Sequence, residues 1–315
     1  MPAMPGRILK TAVRDLYDRN IKTAWIQGYG EPEHEFERIY DVVKSGTEDE
    51  RFSYISGMGR WEQKAFGANI TFDSIHQGYD TTITPYTYAN AFAIEQETVE
   101  DEPHGLLGQQ MSTSLAQGGR DTLEFLAAVP FNAPTATTYA SPWQSGGDGA
   151  ALLSTAHLVP AGGYYANCPS SHVDLSVASL QAARTRMEKL VNAAGLQWGM
   201  DASLLVVPTD SRWLMEEILG SDKLPYTAYN TPNVVIKGLT GFVWSRLTDT
   251  DCWFILSNKA KTVGAKGHMA KCIMRLQPEF DRQNEFLSGD RQYKGRMRVG
   301  FGFPDARGID GSTGG

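Results

Sequence analysis

The segment from Gln77 to Ala128 sets the strongest limits on how this sequence folds. A Thr- and Tyr-rich segment, TTITPYTYANAFAIEQETVEDEP, passes through an acidic cluster into a long run of Leu, Met, Ala and Gly. β-branched and aromatic residues mark the first part as extended, and Pro85 limits it to an edge or a turn. A strand this long and polar presents unpaired backbone donors and acceptors, so it needs a partner within the chain or on another copy. Glu100, Asp101 and Glu102 suit a helix start, and Pro103 suits a first turn. The following helix, predicted over 102–128, places Leu107, Met111 and Leu115 four residues apart, with Leu123 and Leu126 continuing the face. Gly118 and Gly119 each cost that helix about 1 kcal/mol against Ala, which implies a bend or a close backbone contact.

The chain has 315 residues and a formal net charge of −7. Its length buries a large core without disulfide staples. The acidic balance argues against nucleic-acid affinity over the whole surface. The opening MPAMPGRILKTAVRDLYDRN lacks the apolar core of a signal peptide. The runs near SLLVVP and CWFIL are too short to span a bilayer. Cys168, Cys252 and Cys272 form no C-x-x-C and read as reduced, cytoplasmic thiols. Between Ala65 and Glu188 there is no lysine, and three arginines face a dozen acids. Arg291, Lys294, Arg296 and Arg298 crowd the end of the chain, so the two regions are suited to pair.

Residues 1–50 read as a helical arm, with helices at Arg7–Tyr17 and Pro32–Val43. Gly57 and Gly59 turn the chain between aromatic segments. Phe52, Tyr54, Trp61 and Phe66 belong to a local core or a subunit contact. Contact is the expectation, because little nearby sequence is able to bury them. Beyond the loop-rich residues 129–172 an α/β pattern begins. Ser176 caps a helix with a Leu180, Ala183, Met187, Leu190, Val191 stripe, stopped by Gly195. SLLVVP is a buried strand, followed by a helix with Trp213, Leu214 and Ile218 inward. GFVWSRL, DCWFILS and KCIMRLQ are further strands. In RQYKGRMRVGFGF, Tyr293, Met297, Val299 and Phe301 share one face and Lys294, Arg296 and Arg298 the other. That basic face is either an intersubunit ion-pair seam or a solvated surface.

Chemistry-bearing motifs are sparse. The sequence has no phosphate-loop signature, no G-x-S-x-G and no H-E-x-x-H, and its three G-x-G starts lack the third glycine. His157, Cys168 and His172 fall short of a closed zinc set. Asp249 and Asp251 lack the glycine and distal glutamate of a calcium loop. Ser154, His157 and Asp148 share one stretch without a scaffolding turn, so a soluble hydrolase is a secondary reading. No catalytic residue, cofactor or metal is expected.

The order of segments resembles the major capsid proteins of tailed bacteriophages, in particular the Mu-like major head subunit family. The resemblance is carried by EDERFSYISGMGRW (Glu48–Trp61), YTYANAFAIEQETVEDE and its long helix, and LLSTAHLV. LSVASLQAARTRME, SLLVVP, NVVIKG, LTDTDCWFIL and YKGRMRVGFGF continue the series, which spans about Asp41 to Phe303. It implies an α+β chain with the Hong Kong phage capsid fold. Mapped here, that means an N-terminal arm (1–65) and an extended β loop (66–98) reaching over neighbours. A peripheral domain (99–174 and 271–315) carries the spine helix 102–128, and an axial α/β domain covers 175–270. It further implies self-assembly into pentamers and hexamers of an icosahedral shell around double-stranded DNA, held non-specifically. The implied location is the virion capsid, after assembly in the host cytoplasm. Portal, scaffold or protease and decoration proteins are expected as separate chains, and no membrane is expected. The expected assembly contacts are Trp61, Phe66, Tyr79, Tyr86, Tyr88, Arg291, Lys294, Arg296 and Arg298. Relatives that crosslink do so through a lysine in the extended loop, and residues 66–98 have none. An encapsulin-type nanocompartment shell shares the fold and is the alternative within this class.

Overall fold

The computed structural model describes residues 10–30, 34–55, 57–67, 69–73, 75, 77–101, 106–139, 143–144, 146–159, 162–192, 194–223, 232–234, 237–258 and 268–315. In chain order the elements begin with α1 (Lys10–Gly30), β1 (Asp41–Lys44), β2 (Glu50–Ile55), β3 (Gln77–Ile83) and β4 (Tyr86–Ile94). Next are α2 (Gln96–Asp101), α3 (Leu106–Asn132), β5 (Trp143–Gln144), β6 (His157–Leu158) and β7 (Tyr164–Tyr165). Then follow α4 (Val177–Glu188), β8 (Ala202–Val207), α5 (Arg212–Gly220), β9 (Thr240–Val243) and β10 (Trp253–Ser257). The chain closes with β11 (Lys271–Asn284), β12 (Arg291–Gly302) and β13 (Ile309–Ser312).

Two compact units share these elements. The first gathers the described residues up to His34 with Tyr86–Phe125 and Met274–Val299; the second holds Glu35–Pro85, Leu126–Ile273 and Gly300–Gly315.

In the first unit, β12 lies between β11 and β4. It pairs antiparallel with β4 from Arg291 opposite Ile94 to Val299 opposite Tyr86. The Tyr-rich part of the extended segment therefore finds its backbone partner in its own chain. The alternation along β12 is realised: Tyr293, Met297 and Val299 are buried. Tyr293 packs with Ile21 and Ile94, flanked by Phe92, Val99 and Phe280. The arm helix is longer than expected. Its Ile21 carbonyl accepts from Ser112 Oγ at 2.9 Å, and Gly28 lets α1 approach Thr113, where a Cβ would stand 3.0 Å from Cγ2. The expected start of the spine helix at Glu102–Pro103 lies outside the described residues; α3 ends at Asn132 rather than 128.

In the second unit a four-stranded sheet, ordered β13-β10-β8-β9, forms the centre. All five residues of β10 are buried, as befits a strand covered on both faces. Leu180, Ala183 and Met187 of α4 and Met215 and Ile218 of α5 pack with Leu205, Val207, Trp253 and Ile255. Ser176 caps α4 with a reciprocal pair: its Oγ accepts from Ser179 N–H, and Ser179 Oγ accepts from Ser176 N–H. Such a cap contributes about 1 kcal/mol. Two expectations fail here. Trp213 turns outward, 75% exposed, with the Arg212 guanidinium 5.6 Å from its ring centre. Met215 takes the inward position instead. The second arm helix is absent among the described residues. A single 3-10 turn, Phe36–Arg38, leads into β1, where β-branched Val42 and Val43 favour a strand and Asp41 N–H donates to Ala270 O.

Candidate assembly surfaces

β2 and β3 form an antiparallel hairpin, Glu50 opposite Ile83 and Ile55 opposite Gln77. The excursion joining them, residues 56–76, has no helix or strand among its described residues. Gly59 N–H donates to the Asp73 carboxylate and ties its two arms. Its large apolar side chains are bare: Trp61 is 98% and Phe72 97% exposed, and Met58, Phe66, Ile70 and Ile75 are exposed too. Each forgoes roughly 1.5–3 kcal/mol of burial. Exposed apolar side chains gathered on one excursion make it the candidate interaction surface. A second bare tip joins β11 to β12, where Phe286 and Leu287 are exposed and Gly289 turns at φ +78°.

The first unit also carries an open cavity of about 400 Å³, lined by Trp25, Tyr29, Tyr88, Gly118, Gly119 and Arg296 among others. No atom lies within 4 Å of where a Cβ would stand at Gly118 or Gly119. The glycine pair therefore opens space rather than admitting a neighbouring backbone. Burial, with Tyr86 adding to it, raises the Tyr88 phenol above its ordinary pKa.

The nine expected contact residues divide into free and internally engaged groups. Trp61 and Phe66 are exposed, and Tyr86 is partly so. Tyr88 and Arg296 line the cavity. Tyr79 is not free: burial, then Asp305 and Asp148, pushes its phenol far above the usual range. Arg291 is buried. Lys294 pairs with Asp281 at 3.3 Å and Arg296 with Glu279, both on the adjacent strand. Arg298 Nε is buried without a hydrogen-bond partner. Sequence reasoning missed Phe72, Ile70, Phe286, Leu287 and Trp25. For Phe286 and Leu287 a signal existed: two apolar residues in a Gly-containing turn between alternating strands.

Tyr79 borders a buried ionic cluster inside the second unit. Asp305 and Arg307 form a bidentate pair, with Nε at 3.0 Å from both oxygens and Nη2 at 2.7 Å. Burial, reinforced by Asp148, raises Asp305 to about 7 against the bond from the Arg307 backbone; burial lowers Arg307 to about 9. His157 Nδ1 lies 2.7 Å from Asp148 Oδ2, and its ring stacks on Tyr165 at 4.8 Å. This arrangement does not favour the hydrolase reading. His157 is fully buried, and Ser154 Oγ accepts from Ala156 N–H. Asp251 N–H donates to Asp249 Oδ1 in a polar turn. Among the described residues, no group of three or more His, Cys, Asp or Glu is placed to hold a metal ion. Burial lifts the thiol of Cys252 to about 12 and that of Cys272 higher still.

The family described as "Phage capsid protein" matches residues 78–309. The chain belongs to the phage capsid protein family. Its fold is that of solved capsids at low identity. A chain of Microbacterium phage Oxtober96 is 11% identical, with a TM-score of 0.53, covering 100% of this chain and 96% of that one. The mature capsid of bacteriophage PhiM1 is 9% identical, with a TM-score of 0.56 and coverage of 89% and 86%. The capsid of cyanophage P-SCSP1u is 11% identical, with a TM-score of 0.53 and coverage of 99% and 91%. No curated protein matches the sequence. This capsid protein is thus a structural component of a virion, and the ordered segments alone carry the narrower Mu-like likeness.

Proposed function

We propose that this capsid protein closes an icosahedral shell of pentamers and hexamers around double-stranded DNA, with the β2–β3 excursion as its reaching limb. The observation that carries the reading is the set of bare apolar side chains on residues 56–76, carried at the end of the paired β2–β3 hairpin. An apolar limb of this kind is stable in water when a second copy covers it. The limb so defined begins before residue 66 and takes in Lys64. It excludes β4, whose residues pair with β12. The protein acts without making or breaking bonds. With a net charge of −7 it holds packaged DNA loosely, since tight attachment to phosphate needs clustered Lys and Arg. Portal, scaffold or protease and decoration proteins are separate partners, met in the host cytoplasm.

Electron microscopy of the purified chain with residues 57–75 replaced by a short Gly-Ser link tests the assignment. A folded subunit that forms no shells is expected. Shells indistinguishable from those of the parent overturn it.

A further inference from the structure

The hairpin that carries the bare excursion is gripped from one side by a four-residue loop, Gly146–Gly149. Gly149 N–H donates to Gly146 O at 2.9 Å and closes the turn, with Gly149 at φ +70°. At its apex, Gly147 N–H donates to Thr81 Oγ1 of β3 at 2.8 Å. A Cβ on Gly147 would stand 2.7 Å from Asp80 O, 2.7 Å from Tyr79 Cδ2 and 2.8 Å from Thr81 Oγ1. Two of those obstacles, the carbonyl and the buried hydroxyl, are unable to swing aside. Only glycine lets the loop lie this close to β3.

The loop is anchored in turn. Asp148 Oδ1 accepts from Ala150 N–H at 3.2 Å, and Oδ2 faces His157 Nδ1 at 2.7 Å. His157 stacks on Tyr165, and the Arg307 guanidinium lies 5.8 Å from the Tyr165 ring centre and 4.9 Å from that of Trp198. Arg307 Nη1 donates to Val191 O. A continuous chain of buried and part-buried contacts thus runs from the body of the second unit to the middle of β3. Beyond the grip only Gln77 and Gly78 remain before the excursion.

We propose that Gly147, held by the Asp148–His157 pair, is a positioning clamp that sets the direction of the β2–β3 hairpin and so delivers residues 56–76 to the neighbouring copy. The delivery step rests on the limb reading above; the clamp itself does not. The excursion departs from the ends of β2 and β3, so a tilt of the hairpin at Tyr79–Thr81 displaces the bare side chains with it.

The test combines hydrogen exchange and electron microscopy on the full-length chain as purified, comparing Gly147→Ala, Thr81→Val and Thr81→Ser with the parent. Gly147→Ala and Thr81→Val are expected to speed exchange of the β3 amides about tenfold while β8 and β10 keep their protection. Thr81→Ser, which keeps the accepting oxygen, exchanges as the parent does. Shells of Gly147→Ala are expected to be few or uneven in diameter. If Gly147→Ala also loosens β8 and β10, the Thr81→Val and Thr81→Ser contrast decides. β3 exchange equal to the parent in Thr81→Val overturns the clamp. Faster β3 exchange with parent-like shells retains the clamp and refutes its role in delivery. Parent-like shells from the chain lacking 57–75 refute the limb reading separately.

Discussion

Arg296 of β12 donates to Glu279 of β11 through Nε at 2.8 Å and Nη2 at 2.5 Å. With Lys294 on Asp281, two of the cations on the basic strand face are therefore neutralised within their own sheet. Both pairs are about half exposed, and an exposed pair such as Arg296–Glu279 contributes about 0–1 kcal/mol. A double-mutant cycle of Arg296→Ala and Glu279→Ala, read by urea denaturation, is expected to give a coupling below about 1 kcal/mol. A coupling above about 2 kcal/mol would mean the pair is a structural element of the sheet.

The Asp305–Arg307 pair is the opposite case, because both side chains are 1% exposed. Removing one partner strands the other charge in a dry interior. Arg307→Ala is expected to cost the second unit about 3–5 kcal/mol, seen as a lowered denaturation midpoint. Arg307→Ala and Asp305→Ala together should recover part of that loss, since neither charge is then left alone. A double variant as unstable as the sum of the two would contradict this account.

Asp310 gives the pH dependence its sign. Burial raises its carboxyl from 3.8 to about 7, against the opposing pull of Arg186. The folded state therefore holds the proton where the unfolded chain releases it. This group's contribution is complete below 3.8 and is lost as pH rises to about 7. Asp310→Asn keeps an oxygen for Arg186 and does not titrate. Stability of the parent relative to Asp310→Asn should fall across that window and level off above it. A difference independent of pH would show that Arg186 holds the carboxylate ionised throughout.

Much of the second unit was legible in the sequence, because one-dimensional periodicity reports burial on a regular element. The Leu180, Ala183, Met187 stripe, the Ser176 cap and the apolar run of β8 each gave the correct element. Trp213 did not: Leu214, Met215, Ile218 and Leu219 make the one apolar face of α5, and Trp213 falls opposite it with Glu216 and Glu217, under the Arg212 cation. The hairpin escaped for another reason. Phe52 opposite Thr81 is a long-range pairing across an aperiodic excursion, and local pattern carries no register across such a gap. The alternation of β12, with Lys294 and Arg296 opposite the buried Tyr293 and Met297, was correctly read, whereas Arg291 lies on the buried face. Their pairing with Glu279 and Asp281 required knowing that β11 lies beside them.

Gly118 and Gly119 allow an effect on stability to be separated from one on assembly. Both lie inside α3, and at neither would a Cβ meet another atom within 4 Å. Backbone entropy alone then favours alanine by about 1 kcal/mol at each position. Gly118→Ala/Gly119→Ala is expected to raise the denaturation midpoint of the purified chain. The added methyls also enter the cavity lined by Trp25, Tyr29 and Tyr88. If a second copy inserts a side chain there during shell closure, the stabilised variant assembles less well than the parent. Light scattering during assembly, set beside the denaturation curve, separates the two effects. Greater stability with unchanged assembly would leave the cavity outside the subunit contacts, and lower stability would mean that α3 needs the flexibility of its glycines.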